Sequence, residues 1–254
     1  MRRFFEQKLN DTFKGRDSFT KKDLEDFFRL NEPDLNEHTL KSRIYHLKNK
    51  KIITQLNRTN YTLSSKKVFM PAIDTELADL AILIMDFIPD EQYCIWNSSW
   101  VNQFSRHQTM KNFYIVEAGK EELSSLFHFF KDKGLENVFL NPEQETLYLY
   151  ARENEVPIIL KPLISRAPVK EEKYNSKTIF VPSLEKLLVD LYTDVLLFNY
   201  TQGAELETVF ENAISKYAVN FTTLFAYARR RNKAEQLEKY LKTHFFHLLK
   251  SIAI

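Results

Sequence analysis

Two stretches of the chain carry side chains suited to an anionic polymer, and the first is residues 37–51. Leu40, Ile44 and Leu47 recur at helical spacing and predict one buried stripe. The other positions then carry hydroxyl, imidazole and cationic groups, which suit base edges and phosphates in a DNA major groove. The residues expected near bases are Thr39, Ser42, Arg43 and His46. Those expected to meet phosphates are Lys41, Lys48, Lys50 and, in the following turn, Arg58.

The second stretch is "FAYARRRNK", residues 225–233, which places four cations behind an aromatic, alanine-rich helical pattern. The side chains expected to project there are Arg229, Arg230, Arg231 and Lys233. They could provide a second phosphate contact or a face that meets an acidic partner. For both stretches an ordinary solvated basic helix remains an alternative, and modules of this kind also dock proteins.

Catalytic chemistry finds little support in the sequence. The serines lack a nucleophile elbow, and Cys94 has apolar neighbours typical of a core thiol. With glycine only at positions 15, 119, 134 and 203, neither a phosphate-binding loop nor a dinucleotide fingerprint can be written. No metal-ligand spacing is present, so we expect no cofactor, no metal and no enzyme. A nuclease using Glu117 and Lys161, at the ends of two apolar runs, remains the catalytic alternative.

Charge is distributed unevenly along the 254 residues, whose formal net charge is +2. Residues 1–67 hold sixteen Lys and Arg against nine Asp and Glu, a net of +7. This asymmetry predicts an anionic partner for the first third only. A single cysteine is typical of a reducing compartment, and neither a signal peptide nor a membrane span is indicated. We therefore expect a cytoplasmic protein.

The elements that would position the first stretch follow a recognisable order. Thr20 and Asp23 form a capping-box pattern at the start of a helix, and Asn36 can cap the next one. Two short β-like runs, 51–56 and 60–64, follow across a turn. Helix, turn, amphipathic helix and hairpin predict a winged helix-turn-helix over residues 1–67.

After a linker near residues 64–74 the pattern changes to a mixed α/β domain, expected over 74–254. The candidate strands are 113–118, 137–140, 146–150, 157–161 and 178–181. A helix capped by Gly134 separates the first two, and the chain from Ser183 onward reads as helical. On 181–198, Leu184, Leu188 and Val195 are expected in the core. Glu185, Lys186, Asp190 and Asp194 are expected on a polar rim. The fold class is therefore α+β, ending in a helical segment.

This layout resembles the AbiEi-like antitoxins of bacterial type IV toxin–antitoxin systems and related uncharacterised bacterial proteins. The resemblance rests on "VPSLEKLLVDL" (181–191), followed some thirty-five residues later by "YARRRNK" (227–233). The matching positions are Val181, Pro182, Ser183, Glu185, Lys186, Leu188, Val189, Asp190, Leu191, Tyr227, Ala228, Arg230 and Lys233. The segment 95–104 is also similar to a helix of that family, although tryptophans replace its small residues.

The resemblance implies a DNA-binding antitoxin. Its winged helix would repress its own operon by binding the operator, and its C-terminal domain would counteract a nucleotidyltransferase-like toxin. Two departures are the wing "NRTNYTL", which lacks the family's glycine, and a more aromatic segment at 198–217. The main alternative is a winged-helix regulator whose C-terminal domain senses a ligand or dimerises, without any toxin partner.

Overall fold

Residues 2–63 form three helices and a small antiparallel sheet in this computed structural model, and we call them the N-terminal module. The structure describes residues 2–30, 32–50, 52–63, 67–89, 91–107, 112–142 and 156–249. The elements of the module are α1 (Arg2–Phe13), β1 (Phe19–Thr20), α2 (Lys21–Arg29), α3 (Glu37–Asn49), β2 (Ile53–Gln55) and β3 (Asn60–Leu63). β3 lies between β1 and β2, with Phe19 opposite Tyr61 and Ile53 opposite Leu63.

Local capping determines where the helices of the module begin. The Thr20 side chain accepts from the Asp23 backbone N–H at 3.1 Å, and the Asp23 carboxylate accepts from the Thr20 N–H at 2.6 Å. Asn36 caps α3 in the same way, by accepting from the Thr39 N–H at 2.8 Å. Both predicted caps are confirmed. The apolar faces of the three helices meet the sheet in a separate core that includes Leu24, Leu40, Ile44 and Tyr61.

Residues 67–249, which we call the body, are built on a four-stranded sheet. Its strands are β4 (Cys94–Asn97), β5 (Tyr114–Ala118), β6 (Val138–Leu140) and β7 (Ile158–Pro162), in the order β4-β5-β7-β6. β7 runs parallel to both β5 and β6, whereas β4 pairs antiparallel with β5. The predictions of strands at 113–118, 137–140 and 157–161 are confirmed. The predicted strand at 146–150 lies outside the described residues.

A long hairpin, β8 (Val169–Tyr174) and β9 (Lys177–Pro182), follows the sheet. The sequence predicted β9 but not β8, because "VKEEKY" is charged and lacks an apolar run. β8 owes its extended form to the backbone ladder with β9, which pairs six residues on each strand. The sequence also did not predict β4, which pairs with β5. Most of β4 lies in the segment, 95–104, that the resemblance predicted as a helix.

Helices surround the sheet and complete the C-terminal part. They are α4 (Thr75–Phe87), α5 (Lys120–Asp132), α6 (Leu184–Thr193), α7 (Ala204–Lys216), α8 (Phe221–Arg230) and α9 (Ala234–Leu249). Gly134 adopts a φ of 81° just after α5, as its predicted role at the helix end requires. Ser183 caps α6, and the fold is mixed α and β with a helical C-terminal segment, as expected.

Two expectations about these segments are wrong. The resemblance placed a helix at residues 95–104, but the structure has strand β4 followed by a 3₁₀ helix, Ser98–Gln103. The helix predicted over 183–198 ends at Thr193, which leaves Val195 half exposed instead of buried. Among the described residues, no helix is long and apolar enough to cross a membrane.

The N-terminal module contacts the body through the loop between β2 and β3. The Leu56 side chain is 2% exposed and belongs to the core of the body, not to that of the module. Its carbonyl accepts a 2.7 Å hydrogen bond from the Phe221 N–H at the start of α8. Nearby, the Lys67 backbone makes two hydrogen bonds of 3.1 Å, to Lys216 and Ala218. The loop after β2 is therefore attached to the body.

Candidate nucleic-acid interface and buried charge network

The positions predicted for DNA contact lie on α3, just after it, and in the turn between β2 and β3. Lys41, Ser42, His46, Lys48, Lys50 and Arg58 are exposed, whereas Thr39 and Arg43 are half-buried. Arg58 occupies the turn between β2 and β3, where the Asn57 side chain accepts hydrogen bonds from the Thr59 and Asn60 N–H groups. α3 thus presents a polar, largely cationic surface on the side away from its buried stripe.

The sequence predicted that Arg43 projects towards solvent, but its side chain turns towards α1 and α2. Its guanidinium donates to the Glu32 carboxylate at 2.5 Å, and its side chain is 32% exposed. It also lies over the rings of Phe28 and Phe5, at 5.4 and 5.8 Å from their centroids. Cation–π and ion-pair contacts therefore tie α3 to α1 and α2 through this residue. The Arg43 guanidinium is therefore held within the module, and its role near bases stays a prediction.

The lysines on α3 and at its C-terminal end have partners that are exposed or partly exposed. Lys41 pairs with Glu37 at 3.0 Å, and Lys50 pairs with Glu6 at 2.5 Å. Lys48 donates to the Gln55 amide oxygen on β2 at 2.7 Å. Because exposed ion pairs contribute about 0–1 kcal/mol, such lysines can exchange a protein partner for a phosphate at small cost.

A groove of about 420 Å³ separates α3 from α1 and the end of α2. Five of the eight predicted contact residues lie along it. The lining residues are Phe5, Glu6, Phe28, Glu32, Thr39, Ser42, Arg43, His46, Leu47 and Lys50. The predicted contact set therefore divides between this groove and the side of α3 that carries Lys41 and Lys48.

The second basic stretch is divided by the fold. Arg229, Arg230 and Lys233 are exposed at the end of α8, but Arg231 is only 15% exposed. Arg231 forms an ion pair with Asp194 and donates to the Thr193 hydroxyl at 2.8 and 3.1 Å. Burial alone would lower the pKa of Arg231, but Asp194 raises it, so the side chain stays charged. Arg231 is therefore an internal contact and not part of a projecting patch.

Four of the remaining "YARRRNK" positions form the hydrogen bonds that end α8. Asn232 takes a φ of 55°, a left-handed conformation that Asn tolerates better than most residues. The Lys233 N–H then donates to the Ala228 carbonyl at 2.9 Å, and the Asn232 N–H donates to the Arg229 carbonyl at 3.0 Å. These are the two bonds of a Schellman motif. The backbone of this stretch thus serves to end the helix.

"VPSLEKLLVDL" supplies a buried charge cluster and not the polar rim that the sequence predicted. Lys186 is 0% exposed, and its ammonium donates to Glu117 at 2.5 Å and to Asp190 at 2.6 Å. The Tyr227 hydroxyl donates to Asp190 at 2.8 Å. Burial alone would lower the pKa of Lys186, but the two carboxylates raise it well above its usual value. The cluster joins β5, α6 and α8.

Glu185 connects this helix to the start of α8. Its carboxylate accepts from the Ser183 hydroxyl at 2.6 Å and from the Asn220 backbone N–H at 2.8 Å. Asn220 in turn caps α8, whose first residue, Phe221, donates to Leu56 of the N-terminal module. Glu185 therefore lies one residue away from the contact between module and body.

The two residues of the nuclease alternative each form an ion pair with another residue of the body. Glu117 and Lys161 are neighbours across β5 and β7, but Lys186 binds the first and Asp194 binds the second. The ion pairs form two neighbouring groups: Lys186 with Glu117 and Asp190, and Lys161 and Arg231 with Asp194. Both residues of the nuclease alternative therefore already have an internal partner of opposite charge.

Sequence reasoning missed the buried role of Lys186, Asp190 and Tyr227. One signal was present: Lys186 and Asp190 are four residues apart on a largely apolar helix, a spacing that favours pairing. Cys94, by contrast, is confirmed as a core thiol, since it is fully buried and burial raises its pKa.

Comparison with known proteins identifies the family of this chain. No curated protein matches the chain. Residues 39–247 match a family of unknown function (DUF6577), a range that begins in α3 and covers nearly all of the body. Because the match spans most of the 254 residues, the chain belongs to the family of unknown function DUF6577.

Proposed function

We propose that the chain is a DNA-binding protein whose N-terminal module acts as a winged helix-turn-helix, with α3 as the recognition helix. The observation that carries this proposal is the order of elements: helix, strand, two helices and a hairpin, with the first strand pairing onto the hairpin. In such modules the second helix of the helix-turn-helix enters the major groove. The loop holding Arg58 would be the wing.

Charge supports double-stranded DNA as the partner. Lys41, Lys48 and Arg58 are exposed on α3 and the wing, and the first 67 residues carry a net charge of +7. Phosphate contacts of this kind provide affinity that does not depend on sequence and falls with salt. Ser42 and His46 would then lie near base edges, while Arg43 supports α3 from within the module.

The biological role we propose is that of an antitoxin and autorepressor of its own operon. It draws support from the resemblance of residues 181–191 and 227–233 to AbiEi-like antitoxins. Because most of these motif residues make internal contacts, they support a shared fold more directly than a shared partner. Contact with a nucleotidyltransferase-like toxin would then involve exposed side chains, among which Arg229, Arg230 and Lys233 suit an acidic surface.

One observation favours the alternative of a ligand-sensing regulator. A cleft of about 410 Å³ lies where the module meets the body. Lys48 and Gln55 line one side of it, and Lys170, Glu185 and Thr223 line the other. A small molecule bound there would touch both parts and could change the position of α3. DNA affinity that responds to a metabolite, with no toxin gene adjacent, would favour this alternative.

The test of DNA binding is fluorescence anisotropy of the full chain on its own upstream DNA and on a scrambled duplex, across a salt series. We expect preferential binding to the upstream duplex that survives moderate salt. Replacing Lys48 and Arg58 together by Ala should flatten the slope of log affinity against log salt by about 0.9 for each lost phosphate contact. Lys177→Ala, an exposed cation on the β8–β9 hairpin, is the matched control.

Equal or absent binding to both duplexes would contradict the proposal of a sequence-specific reader.

For the antitoxin role, co-expression with the adjacent toxin should restore growth. A variant with Ala in place of Arg229, Arg230 and Lys233 should restore growth less well than wild type if those cations contact the toxin.

A further inference from the structure

The outward face of α3 carries an exposed aromatic residue, Tyr45, about 50° from its centre. Leu40, Ile44 and Leu47 are buried, and at about 100° per residue Tyr45 lies roughly 130° around the helix from the middle of that stripe. Tyr45 is 64% exposed, and within the described part of the chain no hydrogen bond or ring contact involves it. A large, half-apolar side chain is thus presented to solvent beside Ser42, one helical turn away.

The cations of α3 lie on either side of this position. Arg43 and Lys50 turn towards α1 and α2, where Glu32 and Glu6 hold them. Lys48 lies on the opposite side and contacts Gln55 on β2. In a helix that enters a groove, residues on the flanks meet the two phosphate backbones, whereas the centre of the outward face meets the base pairs.

The chemistry of the major groove limits what an aromatic ring can recognise there. Base edges present hydrogen-bond donors and acceptors, and the one apolar group among them is the C5-methyl group of thymine. A phenol ring suits that methyl group, and its hydroxyl can still bond to a neighbouring edge or water. Burying a ring against donors and acceptors alone would leave polar groups unpaired, which is unfavourable.

We propose that Tyr45 packs against a thymine methyl group and makes α3 selective for a site containing thymine at that position. This inference rests on the proposed function, since it requires α3 to enter the major groove. It adds Tyr45 to the residues that the sequence placed near bases, one of which, Arg43, has its guanidinium held inside the module.

The experiment uses the full chain and a duplex selected by it from a library with randomised base pairs. Each thymine of the selected duplex is replaced in turn by deoxyuridine, which removes only the methyl group. We expect one replacement to weaken wild-type binding about fourfold, the change that corresponds to burying one methyl-sized group. Tyr45→Ala should bind the thymine and deoxyuridine duplexes equally, whereas Tyr45→Phe should keep the preference.

Leu30→Ala, which shortens another exposed side chain at 84% exposure, is the control and should keep the wild-type ratio. If Tyr45→Ala keeps the same thymine preference as wild type at every position, or if wild type shows no preference, the Tyr45 contact is overturned while DNA binding stands. If selection enriches no duplex, the proposed DNA-reading function fails, and the role of Tyr45 fails with it.

Discussion

Arg230 and Arg231 are adjacent in the sequence, yet the structure gives them different surroundings. The Arg231 guanidinium contacts Asp194 and Thr193, whereas Arg230 is exposed at the end of α8. A charged hydrogen bond inside a protein stabilises it by about 1.5–3 kcal/mol, whereas most exposed substitutions change stability by about 0.5 kcal/mol or less. The pair is therefore a matched test of which arginines belong to the fold.

We expect Arg231→Ala to lower the free energy of unfolding by about 2 kcal/mol, because it leaves Asp194 beside a single cation. Arg230→Ala should stay within about 0.5 kcal/mol of wild type. Urea denaturation followed by circular dichroism measures both values. Equal losses in the two variants would show that Arg231 has no stabilising role of its own.

Asp194 should give stability a pH dependence of known sign. Burial opposes its ionisation, but Lys161 and Arg231 hold the pKa of its carboxyl below the usual 3.8. A carboxyl whose folded pKa is depressed stabilises the fold above its unfolded pKa and loses that contribution as pH falls through the folded value. The contribution of Asp194 is therefore complete at neutral pH, begins to fall below about pH 4, and is lost once pH drops below the folded pKa.

The corresponding prediction compares wild type with Asp194→Asn. Wild type should be more stable at pH 7, and the difference between the two unfolding free energies should shrink as pH falls below 4. Urea melts at several pH values between 7 and 3 provide the measurement. A difference that stays constant across this range would mean that the charge of Asp194 is not what stabilises the fold.

At the scale of the element, α8 has one buried side and one exposed side. Phe221, Leu224 and Tyr227 pack into the body, and Arg229 and Arg230 project from the other side of the same helix. The helix begins at Asn220, which caps it, and ends at a Schellman motif centred on Asn232. Its cations can therefore be replaced without disturbing its ends or its packing.

We expect the triple replacement of Arg229, Arg230 and Lys233 by Ala to weaken binding to specific and random DNA by the same factor. Contacts to phosphates carry no sequence information, so each one lost should flatten the salt slope by about 0.9. Anisotropy titrations at several salt concentrations test this, with Lys239→Ala on α9 as the control. Unchanged binding to both duplexes would show that these cations do not contact DNA phosphates and instead face a protein partner or solvent.

At the scale of the whole molecule, one leucine connects the two cores. Leu56 follows β2 of the N-terminal module but packs into the body, and its carbonyl accepts from Phe221. Glu185 holds the adjacent Asn220 N–H. Two hydrogen bonds and one buried side chain therefore link α6 and α8 to the loop between β2 and β3.

We expect Leu56→Ala to loosen the attachment of the module while both cores remain folded. Removing a buried leucine side chain costs about 2–5 kcal/mol, so cleavage by trypsin after Lys67 should accelerate roughly tenfold or more. Leu30→Ala, at an exposed position just after α2, should leave the rate unchanged. A rate equal to wild type in Leu56→Ala would show that other contacts hold the module.

The sequence by itself determined the features that depend on neighbouring residues. The caps at Thr20, Asn36 and Ser183 were predictable because each involves groups within three residues of one another. Short apolar runs predicted β5, β6, β7 and β9 for a similar reason, since the composition of each run by itself indicates a buried strand. β8 was not predictable in this way, because its partner strand, and not its composition, makes it extended.

Only the tertiary structure decided which charged residues are inside. Lys186 is buried because Glu117, sixty-nine residues earlier, and Asp190 both reach its ammonium, and Arg231 is held by Asp194 across another long separation. On a helical wheel these residues are indistinguishable from a solvated rim. A buried charge is tolerated only where opposite charges from distant segments converge on it, and that convergence exists only once the chain has folded.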